Sequence, residues 1–116
     1  MGFDALILTT IGRKSGIERK TPLGWFPGPS GSWLIVASAA GSAKNPAWYH
    51  NLAAHPDRVE IEVKGQKVEV IPEQLEGPER ETAWSQIVAA SPRFAKYQEQ
   101  TDRRLPVIQL RPHRPD

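Results

Sequence analysis

Val59-Glu60-Ile61-Glu62-Val63, then Lys64-Gly65-Gln66, then Lys67-Val68-Glu69-Val70-Ile71: apolar and charged residues alternate on both sides of a glycine turn. A period of two sends Val59, Ile61 and Val63 to one face of a strand and the glutamates to the other, so the stretch reads as a half-buried hairpin. Its apolar face needs further strands to cover it. Upstream, Ala5-Leu6-Ile7-Leu8-Thr9-Thr10-Ile11 is aliphatic and β-branched and stops at Gly12, the pattern of a strand entering a turn. Residues 19–26 and 32–38 read as a second and third strand around the breaker cluster Pro27-Gly28-Pro29-Ser30-Gly31, which makes the first third a β-meander. Residues 105–110 form a last strand, with Pro106 at an edge or at its start.

Two helices interrupt the strands. Asn45-Pro46 offers an N-cap and a first-turn proline, and Pro56 stops the segment, so a helix is expected at about 45–55. Gly77-Pro78-Glu79 opens another, with Trp84, Ile87, Val88 and Ala90 on a broad apolar face and Pro92 closing it. Residues 93–104 read as a polar-aromatic connection. About six antiparallel strands and two helices imply a mainly β fold with helices (α+β), a small barrel with helices outside or over its openings, as one domain over 1–116.

The chain of 116 residues is 39% hydrophobic and 24% charged, which excludes a disordered tail and leaves no room for two independent cores. Cysteine is absent, excluding a disulfide framework, a thiol nucleophile and thiolate-built metal sites, and fitting a reducing compartment. Fifteen Lys and Arg against thirteen Asp and Glu give +2, too little for nucleic-acid binding through charge alone. The basic charge is local: Arg13, Lys14, Arg19 and Lys20 cluster near the start. No apolar run approaches the ~18 residues of a membrane span. The charges follow the first apolar run, the reverse of a signal peptide. A strand-like segment almost at Met1 raises the expectation of an N-terminal extension ahead of it.

Several catalytic schemes fail on spacing. A phosphate-binding loop ending at Gly12 would need Gly where Ile7 stands and Lys where Arg13 stands. Gly28-Pro29-Ser30-Gly31 runs into Ser32, not the glycine of a nucleophile elbow. His50 and His55 are five apart, about 140° around a helix, so they form no i, i+4 metal pair; both read as surface residues. What remains is Gly12-Arg13-Lys14-Ser15-Gly16 followed by Arg19-Lys20-Thr21-Pro22-Leu23. The glycines bring backbone amides close to a ligand, and the cations with Ser15 and Thr21 suit phosphate or carboxylate groups. An anion clamp and a solvated basic turn both fit these residues. Downstream, Ala37-Ser38-Ala39-Ala40-Gly41-Ser42 leads to Ala47-Trp48-Tyr49-His50-Asn51, small residues and a helix start that admit a flat ring. Trp48 fits a ring edge or plain core with Leu52.

These blocks, with Leu8-Thr9-Thr10-Ile11, Lys44-Asn45-Pro46 and Gln100-Thr101-Asp102-Arg103 followed by Pro106, resemble the deazaflavin-dependent nitroreductase family of actinobacteria. The resemblance spans about residues 5–111 in matching order and spacing. It implies a split β-barrel related to flavin-binding barrels, usually dimeric, which uses reduced coenzyme F420 to reduce quinones. It assigns Arg13, Lys14, Ser15, Arg19, Lys20, Thr21, Pro22, Leu23 and Gly24 to the coenzyme's phosphate and polyglutamate tail and the adjoining strand. Val36, Ala37, Ser38, Ala39, Ala47, Trp48, Tyr49, His50 and Asn51 would surround the ring. The family's best-known member has a lysine where Ala39 stands and tyrosines where Ser91 and Phe94 stand, departures that bear on nitroimidazole reduction and on the acceptor.

The resulting expectation is an oxidoreductase that transfers hydride from reduced F420 to a quinone-like or other planar acceptor, with no metal and no nucleic acid, as a cytoplasmic homodimer. The family's N-terminal amphipathic segment would add peripheral membrane association where it is present. Residues 91–97 would fold over the coenzyme ring, with Phe94 and Tyr97 presenting one aromatic face and Tyr97 as the phenol donating to a reduced acceptor. Alternatives are an F420 carrier without turnover, a barrel using flavin mononucleotide, and single-strand nucleic-acid binding through Arg13, Lys14 and nearby aromatics.

Overall fold

The two turns rich in glycine set the strand directions. The computed structural model, which describes residues 5–113, has β1 (Ala5–Ile11) and β2 (Glu18–Gly24) on either side of the first turn. Then come β3 (Phe26–Pro27), β4 (Trp33–Val36), helix α1 (Ala47–Ala54), β5 (Glu60–Val63) and β6 (Gln66–Gln74). Helices α2 (Gly77–Ala90) and α3 (Arg93–Glu99) precede β7 (Val107–Pro112). All pairings are antiparallel, in the order β2-β1-β5-β6-β7-β4-β3.

Trp25 alone separates β2 from β3, yet these strands occupy opposite ends of that order. The sheet therefore curls until its two edges meet at one residue, which is a split barrel. β6 supplies the bend, pairing through Glu69 with β5 and from Val70 onward with β7. Alternation then decides what goes inside. Leu8 faces Ile61 across β1 and β5, and both side chains are fully buried with Leu6 and Leu110. Trp48 and Leu52 of α1 cover this core, while a second cluster of Phe26, Leu34, Val36, Ile87, Leu105 and Val107 lies under α2 and α3.

The hairpin expected from the alternating stretch is present, with Lys64 and Gly65 as its two turn residues at φ of 52° and 79°, a tighter loop than the three residues anticipated. Pro106 stands just before β7, as the start of a central strand. Other expectations are corrected. Residues 19–26 are two strands, because Trp25 turns the chain across the seam, so the first third is no single meander and the described residues form seven strands. Helix α1 starts at Ala47 with no side-chain cap, because Pro46 rather than Asn45 holds the cap position and has no side-chain acceptor; the Asn45 carboxamide, one residue earlier, accepts from Arg103. Residues 93–99 are a third helix, entered through Pro92 at φ −59°. The buried face of α2 is Arg80, Ala83 and Ile87, with Trp84 half-buried beside them.

Candidate active site

The β1–β2 turn is tied down by its own backbone. Gly12 N–H donates to the Ile17 carbonyl at 2.8 Å, Gly16 N–H to the Gly12 carbonyl at 2.9 Å, and Ile17 N–H to Ser15 Oγ at 3.1 Å. Gly16 sits at φ 71°, where a side chain would be strained. A side chain at Gly12 would run into the Ser15 hydroxyl and press on the Ile17 carbonyl. One long-range contact then orients the turn: Arg13 N–H donates to Asn51 Oδ1 of α1 at 3.0 Å. With its backbone held from below, the turn leaves the Arg13 and Lys14 side chains in solvent.

Between this turn and α1 lies a cavity of about 710 Å³, lined by residues 12–15 and 18–21 with Ala47, Trp48 and Asn51. Four cations, Arg13, Lys14, Arg19 and Lys20, face one anion, Glu18. Lys20 is partly engaged, its Nζ 3.4 Å from Thr9 Oγ1 and 3.9 Å from Glu18. The net positive field therefore rests on Arg13, Lys14 and Arg19, and suits a ligand end with more than one negative charge.

Strand β2 leads from this cavity to a smaller cleft of about 110 Å³ at its far end. Leu23, Gly24, Phe26, Val36 and Phe94 make flat apolar walls, and Ser38 and Arg93 are its polar residues. Phe94 packs edge-on against Phe26 at 5.7 Å and against Tyr97 at 5.5 Å between ring centroids.

Of the residues singled out in the sequence, Arg13, Lys14, Ser15, Arg19, Lys20, Thr21, Ala47, Trp48 and Asn51 meet at the basic cavity. Leu23, Gly24, Val36, Ser38 and Phe94 meet at the cleft. Pro22 is exposed on the strand between them, Ala37 is fully buried behind the wall, and Ala39 is exposed on the following turn. Trp48 answers to both of its readings, buried in the core and lining the cavity. Tyr49 and His50 lie elsewhere: the Tyr49 hydroxyl donates to Gln74 Oε1 at 2.6 Å, and His50 packs against the Tyr49 ring. His50 and His55 are half-buried, not surface residues. Tyr97, half-buried on α3, packs against the second core cluster and the back of Phe94 and is outside the cleft lining. Among the described residues no group of three or more His, Asp or Glu is placed to hold a metal, and no helix is long and apolar enough to cross a membrane.

Two residues with a place in the site had no role in the sequence reading. Arg93 lines the cleft. Arg103, within the quoted Gln100–Arg103 block, binds the loop between β4 and α1. The signal for each is its block: Arg103 closes Gln100–Arg103, and Arg93 lies in the stretch 91–97 expected over the ring, though neither arginine stands out within it.

A split barrel with a cationic cavity along one strand and an aromatic-walled cleft beyond it belongs with the coenzyme-binding split barrels in architecture, and its two openings have the charge and shape to suit an anionic group and a flat one. The same fold recurs in a putative pyridoxamine 5'-phosphate oxidase from Listeria innocua, 12% identical with a TM-score of 0.63, covering 96% of this chain and 85% of that one. Residues 1–112 match the model of the F420H(2)-dependent quinone reductase family, and the chain belongs to that family. An F420H(2)-dependent quinone reductase of Mycobacterium tuberculosis is 39% identical over 110 residues, covering 91% of this chain and 72% of the relative. Among solved structures, an F420-H2 dependent reductase (FDR-A) superposes with a TM-score of 0.80 at 37% identity, over 92% of this chain and 93% of that one. Another, described as a domain-swapped dimer, gives 0.82 at 36% identity over 95% and 81%. The fold class, the reductant and the oxidoreductase class expected from the sequence are those of this family.

Proposed function

We propose that the chain, acting as one coenzyme-binding domain over 1–116, holds F420H2 with its anionic tail in the basic cavity and reduces a quinone-like planar acceptor at the cleft. The observation that carries this reading is the cavity itself: four cations against one anion, arranged around a turn that α1 holds in place. The residues present fit the group, since a phosphate and a chain of carboxylates need several cations along a groove rather than one buried partner.

When bound, the reduced deazaflavin supplies the hydride, so placement and charge are what the chain contributes. Arg13, Lys14 and Arg19 attract and fix the tail, and Thr21 adds a hydroxyl. Leu23, Phe26, Val36 and Phe94 exclude water and align a flat acceptor. Ser38 is a hydroxyl donor at the same wall, and Arg93 carries the positive charge that favours an oxyanion developing on a reduced quinone. The proton that completes a quinol comes from solvent. A cytoplasmic location and a homodimer complete the proposal, the latter supported by the dimeric relative.

The test mixes purified chain with F420H2 and menadione and follows the return of oxidised F420 absorbance, with reduced flavin mononucleotide as control. Acceptor-dependent turnover with F420H2 is expected. Tight binding of F420 without turnover would identify a carrier, and preference for reduced flavin mononucleotide would overturn the choice of coenzyme.

A further inference from the structure

The loop from β4 to α1 takes a conformation that its residues disfavour. Ala39, Ala40 and Gly41 follow one another at φ of 45°, 53° and 83°. For the two alanines this left-handed region crowds Cβ against the backbone, and such residues persist only where the surroundings over-determine them. Part of the constraint comes from α3: a Cβ on Gly41 would stand 2.9 Å from the Tyr97 carbonyl, so only glycine lets the loop seat there.

The rest comes from Arg103. Its Nη1 donates to the Ala37 carbonyl at 3.1 Å and to Asn45 Oδ1 at 2.5 Å, its Nη2 to the Ser38 carbonyl at 2.9 Å, and its Nε to the Ser42 carbonyl at 2.8 Å. The backbone of Arg103 is itself fastened. Its N–H donates to Thr101 Oγ1 at 3.3 Å, its carbonyl accepts from Gln98 Nε2 at 2.7 Å, and Gln98 Oε1 accepts the Leu105 N–H at 3.0 Å. A planar fork with five donors can serve four acceptors on a curved loop at once, whereas a lysine ammonium cannot span them.

We infer that Arg103 is a positioning residue for the hydride-transfer geometry: by gripping the loop over 37–45 it fixes Ser38 in the cleft wall and the entry of α1. The inference rests on the reading of the cleft and the basic cavity as the acceptor and coenzyme sites. The residues of the loop that face the cleft thereby answer to a guanidinium more than sixty residues away in sequence.

Arg103→Lys and Arg103→Ala are compared with the wild-type chain at a temperature where each is folded, by four measurements. These are amide exchange of the ligand-free protein, affinity for oxidised F420 by fluorescence, kcat and KM with F420H2 and menadione, and the response to millimolar guanidinium. In both variants exchange over 38–45 is expected to rise at least about tenfold while barrel amides stay protected. In the lysine variant kcat is expected to fall about tenfold or more with F420 affinity changed less than about threefold, as a small misplacement of reacting groups would produce. Guanidinium is expected to restore part of the kcat of the alanine variant; should that variant not fold, the lysine variant carries the test. Unchanged exchange over 38–45 would overturn the inference. So would a loosened loop with unchanged kcat, the signature of a purely structural arginine. A wild-type chain that neither binds F420 nor turns over menadione would refute the site reading, a failure visible before any variant is compared.

Discussion

Asn51 allows the anchoring of the basic turn and the charge of the cavity to be tested separately. It is buried, lines the cavity, and accepts the Arg13 N–H at 3.0 Å. Asn51→Asp keeps that acceptor and adds a negative charge among Arg13, Lys14 and Arg19. At a separation of about 6 Å and an effective dielectric of about 40–80, each tail charge is repelled by roughly 0.7–1.4 kcal/mol. For a multiply charged tail screened by salt the total is about 1–2 kcal/mol, an affinity loss of roughly 5- to 30-fold. Folding stability stays close to wild type, because the hydrogen bond survives and the nearby cations offset the burial of the carboxylate.

Asn51→Ala has the opposite profile. It loses a hydrogen bond worth about 1 kcal/mol, partly offset by alanine's better helix propensity, and frees the turn without altering its charge. F420 fluorescence titrations at low and high salt, with melting curves, separate the two. The aspartate variant should bind more weakly than the alanine variant at low salt, and the gap should close as salt rises. Wild-type affinity in the aspartate variant at low salt would refute the placement of the anionic tail in this cavity.

Lys14→Ala and Arg19→Ala should each weaken F420 binding about tenfold at low salt, less at high salt, with melting temperatures nearly unchanged because both side chains are exposed; titration and melting check this together. Arg93→Gln should lower kcat with menadione about tenfold while leaving F420 affinity intact, and Arg93→Lys should recover most of the loss, as charge stabilisation at the cleft requires. Tyr97→Phe should change quinone turnover by less than about threefold, because Tyr97 packs half-buried against the second core cluster rather than lining the cleft. Arg80→Ala should cost about 2–3 kcal/mol of stability by denaturant melt with F420 affinity unchanged, since it removes a buried side chain that donates to the Leu105 carbonyl at 2.8 Å and stacks on Trp84.

Local pattern made part of this molecule legible in advance. Period-two alternation announces the β5–β6 hairpin, and the proline and glycine clusters mark where strands end. The break at Trp25 is illegible for the same reason: each residue around it is compatible with a strand, and only closure of the sheet forces the chain across the seam. Helix α3 is short and mostly polar, and it is docked through Phe94 and Tyr97 onto a cluster assembled from distant segments. Within α1, Trp48 and Asn51 are three apart and share a face, whereas Tyr49 and His50 are rotated by about 100° and 200° from Trp48. A contiguous block of site candidates therefore divides between the basic cavity and the far side of the helix.

The contacts that shape the site are the ones local pattern leaves hidden. Arg13 reaches Asn51 across 38 residues, and Arg103 reaches Ala37 across 66. Both join a loop backbone to one side chain, so the loop sequences need only be small or charged. This division explains how one rim can combine exposure with order. The barrel core, with Leu6, Leu8, Ile61 and Leu110 fully buried, supplies most of the stability, and the site borrows from it only its wall residues Trp48, Phe26 and Val36. The cationic turn stays in solvent, where its charges retain hydration, and the loop over 37–45 keeps its left-handed turn because Arg103 and α3 hold it from behind. Substitutions of the turn cations should therefore alter affinity with little effect on folding, and substitutions of Asn51 or Arg103 should alter geometry first. A chain in which both groups moved stability and activity in constant proportion would lack this separation of frame and site.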